Sequence, residues 1–207
     1  MTTILIVRHG QSQSNLNKTF AGQSDSPLTP LGFEQAELAA KYLEGFHFDA
    51  VYSSPLSRAY DTAVTIIKDK PLEIICDDDL RETCLGDWEG LSIDMVREEY
   101  QRWRTEYNYA PHKGENTYQV RERIGRALDK IAHENEGKTV LVASHGGCIR
   151  LLPSYYSGND DSLIASTPIA SNVSITTVIY KNGVGRVEKY AFDGYLGEIK
   201  TVFDNGN

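Results

Sequence analysis

The chain has 207 residues, of which 40% are hydrophobic and 24% charged, with a formal net charge of −8. That balance predicts one globular domain over residues 1–207, with a core that needs no staples, and it argues against nucleic acid as a partner, because a phosphate-tracking surface needs a basic stripe. No stretch is apolar enough to span a membrane, Ile4–Val7 lacks the basic flank of a signal peptide, and Cys76, Cys84 and Cys148 form no C-x-x-C pair, which predicts reduced, buried thiols in a cytoplasmic protein.

In chain order, Ile4-Leu5-Ile6-Val7 is a short β-branched run and predicts a buried strand. Thr29-Pro30 opens a helix to about Glu44, with Pro at its first position and Gly45 as the stop. Residues 49–53 read as a second strand, and Ser54-Pro55 as the cap of a second helix to about Lys68. A third short strand covers Glu73 to Cys76. Leu91 to Lys113 carries Tyr100, Trp103, Tyr107 and Tyr109 among many charges and reads as a helical insertion or lid, its aromatic stripe more often packing than a wall against a ligand. Helical periodicity runs from Glu115 to Glu134, followed by a fourth buried strand at Thr139–Ala143. Val173–Tyr180 and Arg186–Phe192 read as strands joined by an Asn182-Gly183 turn. Strands alternating with helices predict an α/β fold, with a mainly parallel sheet covered on both faces.

Several motifs fail on inspection. Gly137-Lys138-Thr139 lacks the earlier glycine of a phosphate loop and precedes a strand instead of following one. Asp77-Asp78-Asp79 reads as a solvated turn. No cysteine is followed six positions later by arginine, and there is no G-x-S-x-G or H-E-x-x-H.

One constellation survives. Arg8-His9-Gly10 ends the first strand and Ser144-His145-Gly146 ends the fourth. In open α/β sheets, ligands bind beyond the carboxyl ends of strands, so two histidines presented there can share a pocket. An imidazole attacks phosphorus when one ring nitrogen is unprotonated and the other is tied down. Arg8 offers a planar fork for phosphoryl oxygens, and Arg58, at the start of the second long helix, is placed as another clamp.

Here the sequence resembles the histidine phosphatase superfamily, the phosphoglycerate mutase-like family. Arg8-His9-Gly10 with Asn15 resembles its R-H-G-x-[ST]-x-x-N motif. Gly22-x-x-Asp25-Ser26-Pro27-Leu28-Thr29-x-x-Gly32-x-x-Gln35-Ala36 resembles the next block, and Ser53-Ser54-Pro55-Leu56-x-Arg58-Ala59-x-x-Thr62-Ala63 the third. Leu80-x-Glu82-x-x-x-Gly86-x-Trp88-Glu89-Gly90 and His145-Gly146-x-x-Ile149-Arg150 complete five blocks in the family's order.

The resemblance implies a three-layer α/β/α sandwich and a chemistry that needs neither metal nor cofactor. It implies His9 as the residue that becomes phosphorylated, with Arg8, Asn15, Arg58 and His145 holding the phosphoryl group and Glu82 as proton donor. Gly22, Gln23 and Gly146 are expected around the substrate, and His145 is expected to be cationic when phosphate is bound. Glu89 is a reserve acid with a structural role, Arg81 and Arg150 are expected as ion-pair partners, and Gln11 carries no assigned chemistry. The expected activity is hydrolysis of a small phosphorylated metabolite with release of inorganic phosphate. A cofactor-dependent phosphoglycerate mutase is the alternative. It is disfavoured because the insertion is short and Arg102 and Arg104 are not adjacent, although His112 and Lys113 add charge. A non-catalytic phospho-ligand domain ranks below both, since every expected chemical residue is present.

Overall fold

The computed structural model describes residues 1–201. Six strands form one sheet: β1 (Thr2–Arg8), β2 (Ala50–Ser53), β3 (Ile74–Cys76), β4 (Thr139–Ser144), β5 (Ile175–Lys181) and β6 (Val184–Phe192), in the spatial order β3-β2-β4-β1-β5-β6. The first four in that order run parallel, and β5 and β6 are antiparallel to their neighbours. The sheet is therefore mixed and mainly parallel, as the alternation of elements predicts.

Period-two alternation in β1 and β4 divides the core into two layers. Ile4, Ile6, Val140 and Val142 face one way, onto Val120, Ile124, Leu128 and Ile131 of the helix α5 (Thr117–Glu134). Leu5, Val7, Leu141 and Ala143 face the other way. There they meet Ala39 of α2 (Pro30–Tyr42) and Ala59, Ala63 and Ile66 of α3 (Ser57–Ile67). The result is a three-layer α/β/α sandwich. Leu141 is fully buried, and its truncation to alanine costs about 2–5 kcal/mol by analogy with other cores.

Helix starts follow the sequence where a side chain is free to cap. Thr29 accepts from the Gly32 amide at the head of α2, and Asn116 with Gln119 forms a reciprocal capping box on α5. The expected cap of α3 is different. The helix begins at Ser57 behind Leu56, which has no capping side chain. The Ser54 hydroxyl instead hydrogen-bonds with His145 Nε2 and accepts from the Leu56 amide.

Between β4 and β5 lie three short helices that period reading misses: α6 (Gly146–Ile149), α7 (Leu152–Tyr156) and α8 (Ser162–Ser166). Each is too brief to show a 3.6-residue repeat. Another, α1 (Gln13–Asn17), follows the first strand. Residues 91–113 hold a 3₁₀ turn at Ile93–Val96 and the helix α4 (Arg97–Thr105), followed by irregular chain. Tyr100 packs there on Phe20 and Trp88 in a separate small cluster, with Trp103 against it. The cysteines are free, but only Cys148 is buried; Cys76 is exposed on the edge strand β3 and Cys84 is half-buried, so the expectation of three buried thiols holds for one.

Candidate active site

The register of β1 on β4 builds the site. Arg8 lies opposite Ser144, so the next residues, His9 and His145, leave the sheet side by side. Their ring centroids are 5.2 Å apart. Ser53 of β2 pairs with Ala143, and this brings the Ser54 hydroxyl to within 2.8 Å of His145 Nε2. A cavity of about 110 Å³ opens above these strand ends, and Arg8, His9, Asn15, Gly22, Arg58, Glu82 and Gly146 all line it.

His9 is 3% exposed and its Nδ1 stands 2.7 Å from the Gly10 carbonyl. A carbonyl only accepts, so Nδ1 carries the hydrogen and Nε2 keeps its lone pair. Burial, followed by the charges of Arg58 and Arg8, holds its pKa well below the ordinary histidine value. His145 is completely buried behind it and is likewise held low, first by burial and then by Arg58 and His9. In the unliganded site His145 is therefore neutral, and the expected cation requires an anion to arrive. Its Nδ1 is buried and has no partner among the described residues.

Two guanidiniums flank the pair. Arg8 is 4% exposed, and burial pulls its pKa down to about 10. One of its terminal amines donates to the Ala170 carbonyl, while Nε is buried without a partner among the described residues. A Cβ on Gly146 would stand 3.0 Å from that Nε, so the glycine gives the guanidinium room. Arg58, 1% exposed, donates to the carbonyls of Gly22 at 2.7 Å and Ser24 at 3.1 Å. Asn15 Oδ1 accepts from the Ser12 amide and from Asn172, and its NH₂ group makes no hydrogen bond among the described residues.

Glu82 sits across the cavity. Thr83 N donates to Oε1 at 2.8 Å and Gly147 N to Oε2 at 3.1 Å. A Cβ on Gly147 would lie 2.4 Å from Oε1, so this position admits only glycine while the carboxyl stays in place.

Other expected residues land elsewhere. Gln23 is not among the residues that line the cavity; its side chain donates to the Glu82 backbone carbonyl at 3.0 Å and so braces that residue's loop. Glu89 accepts from the Gln23 and Leu85 amides and from Ser24, a structural role. Gln11 accepts from the Thr29 hydroxyl at 2.8 Å. Arg81 pairs with Asp78, but Arg150 has no ion pair among the described residues, contrary to expectation; it donates to the carbonyls of Thr167 and Ile164 and lines the cavity. His112 and Lys113 both turn to Asp87 at the surface. Of the lid aromatics, Tyr100 and Trp103 line the cavity, whereas Tyr107 packs edge-on against Tyr118 and Tyr109 lies under Arg102.

The sequence singles out none of Ser54, Gly147, Asn172 or Arg123 for this site; Arg123, on α5, donates to the Glu82 carbonyl at 3.2 Å. Gly146-Gly147 is a visible doublet, and Ser54 reads as a helix cap and as part of the third family block, with nothing that ties it to His145. Asn172, which donates to the His9 carbonyl at 3.0 Å, carries no local signal at all.

A mainly parallel α/β sandwich here gathers two neutral histidines and two buried guanidiniums at its strand ends, a set of groups whose chemistry suits an oxyanion. The chain belongs to the histidine phosphatase superfamily (branch 1), whose sequence model matches residues 4–193. It is 34% identical over 187 residues to a 2,3-bisphosphoglycerate-dependent phosphoglycerate mutase of Methylorubrum populi, covering 83% of this chain and 87% of that protein. It is 39% identical over 156 residues, 73% of its length, to a bifunctional protein of Mycobacterium tuberculosis, of which it spans only 43%. Among solved structures, YhfR of Bacillus stearothermophilus superposes with a TM-score of 0.88 at 30% identity, covering 95% of this chain and 100% of the other. A mycobacterial glucosyl-3-phosphoglycerate phosphatase in complex with vanadate gives 0.84 at 30% identity, covering 92% and 99%.

Proposed function

We propose that this chain is a phosphomonoester hydrolase that passes the phosphoryl group through His9, acting on a small phosphorylated metabolite without a metal. The observation that carries this reading is the Arg8 guanidinium, buried beside His9 with Nε unpartnered among the described residues. A buried donor without an acceptor is costly, and a buried cation seeks an anion. A phosphoryl oxygen supplies both.

His9 Nε2 attacks phosphorus as the ester P–O bond breaks on the opposite side. Glu82 hands its proton to the departing alkoxide. Water then attacks the phosphohistidine, the P–N bond breaks, and Glu82 takes the water's proton. Arg8, Arg58, Asn15 and His145 Nδ1 hold the equatorial oxygens, where charge concentrates in the transition state. A Glu82 carboxyl that already accepts two amides has its position fixed before substrate arrives.

The character of the lid favours hydrolysis over the mutase alternative. A mutase must hold a second phosphoryl or carboxylate group while the sugar acid reorients. Here Arg102 is engaged with Glu106 at 2.9 Å and lies over Tyr109, and the lid wall that lines the cavity is Tyr100 and Trp103.

The test is hydrolysis of p-nitrophenyl phosphate in EDTA beside His9→Ala. Hydrolysis by the wild type that disappears in the variant, with an acid-labile phosphoprotein trapped in the wild type only, is expected. Activity that survives in His9→Ala would sink the nucleophile. Interconversion of 3- and 2-phosphoglycerate faster than release of inorganic phosphate would replace hydrolase with mutase.

A further inference from the structure

Ser54 and His145 are both completely buried, and the serine hydroxyl lies 2.8 Å from His145 Nε2 and 3.3 Å from the Leu56 amide nitrogen. The backbone holds the pair in place, because the Ser54 amide donates at 3.0 Å to the carbonyl of Ala143, two residues before His145. A hydroxyl has one hydrogen to give and two lone pairs to lend. The Leu56 N–H can only donate, so it takes one of those lone pairs. Among the described residues, His145 Nε2 is the one acceptor left for the Ser54 hydrogen.

The other end of the ring decides between the two neutral tautomers. His145 Nδ1 is buried without a partner among the described residues. A hydrogen on Nε2 would point at Ser54, whose own hydrogen would then be buried without an acceptor, and the Nδ1 lone pair would be bare as well. With the hydrogen on Nδ1, the Ser54 hydroxyl is fully used and one donor is left over. Buried polar groups are costly to leave unpaired, so one orphan is preferred to two. A carboxylate often settles a histidine tautomer by accepting its N–H, but none does so here. The charges that face the ring are Arg58 on α3, Arg8 beside His9 at the end of β1, and Arg123 on α5, whereas Glu82 accepts from the amides of Thr83 and Gly147.

We infer that Ser54 is a positioning residue: its hydroxyl donates to Nε2 and fixes His145 in the Nδ1–H form, so that the neutral ring can give a hydrogen bond to the phosphoryl group without first taking up a proton. This rests on the reading that the His9 end takes that group. The orphan donor is the match for a phosphoryl oxygen, which only accepts. The same hydroxyl also serves the cation. When a bound anion lets His145 gain a proton, that proton goes to Nε2, the hydroxyl turns about its Cβ–Oγ bond, and its oxygen accepts from Nε2–H.

The imidazole nitrogen-15 shifts of the full chain, labelled at histidine, read the tautomer, with His145→Gln assigning the signal. At about pH 8 and without ligand, where burial and the arginines keep the ring neutral, a pyrrole-type Nδ1 and a pyridine-type Nε2 are expected. Ser54→Ala should move the ring towards Nε2–H and weaken inorganic phosphate binding, measured by calorimetry, by about tenfold or more, as loss of a hydrogen bond to a charged group gives. Ser54→Thr, which keeps the hydroxyl, should preserve both properties. In His145→Gln the Ser54→Ala change should add little to the loss of phosphate affinity. A serine needed only to cap the Leu56 amide would lower the melting temperature in Ser54→Ala and leave the tautomer as it was. That result would overturn the inference, as would a pyridine-type Nδ1 in the wild type. Should Ser54→Ala fail to fold, Ser54→Cys decides, because its weaker thiol donor should give a mixed ring signal and an unchanged one would count against the role. The tautomer is read with no substrate present. A chain that shows Nδ1–H and binds phosphate but hydrolyses no ester would therefore sink the hydrolase reading and leave the role of Ser54 standing.

Discussion

Arg123 holds the backbone of Glu82 from behind. Its guanidinium, on α5, donates to the carbonyls of Asp79 and Arg81 at 2.8 Å each and of Glu82 at 3.2 Å, and it is itself fixed by Glu115 at 2.7 Å. Glu115 in turn accepts from the Cys84 amide at 2.8 Å. The loop carrying the proposed acid is thus held on one side by α5, which covers one face of the sheet, and on the other by Glu115 just ahead of that helix.

Arg123 is therefore expected to be a positioning residue. Arg123→Met should slow alkyl phosphates by up to about 10²-fold, the loss that a displacement on the order of 1 Å can cause. It should slow p-nitrophenyl phosphate much less, because p-nitrophenolate leaves without a proton. In a Glu82→Gln background the same change should add little. A purely structural role would depress both substrates together, so the ratio of the two rates is the measurement that counts.

Glu82→Gln examines the acid itself. The amide keeps the size of the side chain and cannot donate the carboxyl proton. Turnover of alkyl phosphates should drop by roughly 10²-fold or more, the usual span for lost general acid catalysis. Release of p-nitrophenolate should fall less. Equal slowing on both substrates would count against the assignment.

Gly146 and Gly147 are adjacent and should fail differently. Alanine at 147 places a methyl 2.4 Å from Glu82 Oε1, so it should displace the acid and reproduce the leaving-group dependence of Glu82→Gln. Alanine at 146 meets the Arg8 guanidinium at 3.0 Å and should weaken phosphate binding for every ester alike. Steady-state kcat and KM on one alkyl and one aryl ester separate the two. Identical profiles would mean that neither glycine is tied to a single partner.

Much of this centre was legible in the sequence because it sits at strand ends. A β-branched run that stops at Arg8-His9-Gly10, and another that stops at Ser144-His145-Gly146, fix two side chains once the strands pair in parallel. Arg58 was legible for a similar reason, at the start of a helix that follows a strand. What stayed hidden depends on distant partners. Ser54 looks like a helix cap in the sequence, yet its hydroxyl meets His145 and the Leu56 amide, and only the fold chooses. Gln23 stands beside Gly22 in the chain yet turns to the back of the Glu82 loop. Arg123 looks like any charged position of an amphipathic helix until the loop that it grips is folded over it.

The two histidines make stability depend on pH in a definite sense. Burial and the neighbouring arginines place their folded pKa values below 6.5, the unfolded value. Below that pH the unfolded chain binds protons that the folded chain refuses, so stability rises with pH through this window. The contribution is complete above about pH 6.5 and is lost as pH falls from there towards the folded values. The melting temperature should therefore decline between pH 7 and pH 5 more steeply in the wild type than in His9→Gln or His145→Gln, each of which removes one such group. Inorganic phosphate should flatten the wild-type slope, because a bound anion beside the rings favours their protonated forms and offsets the arginines. Proton uptake on phosphate binding, read from calorimetry in buffers of different ionisation enthalpy, should accompany it. Parallel pH slopes in the wild type and both variants would show that neither histidine is held neutral in the folded chain.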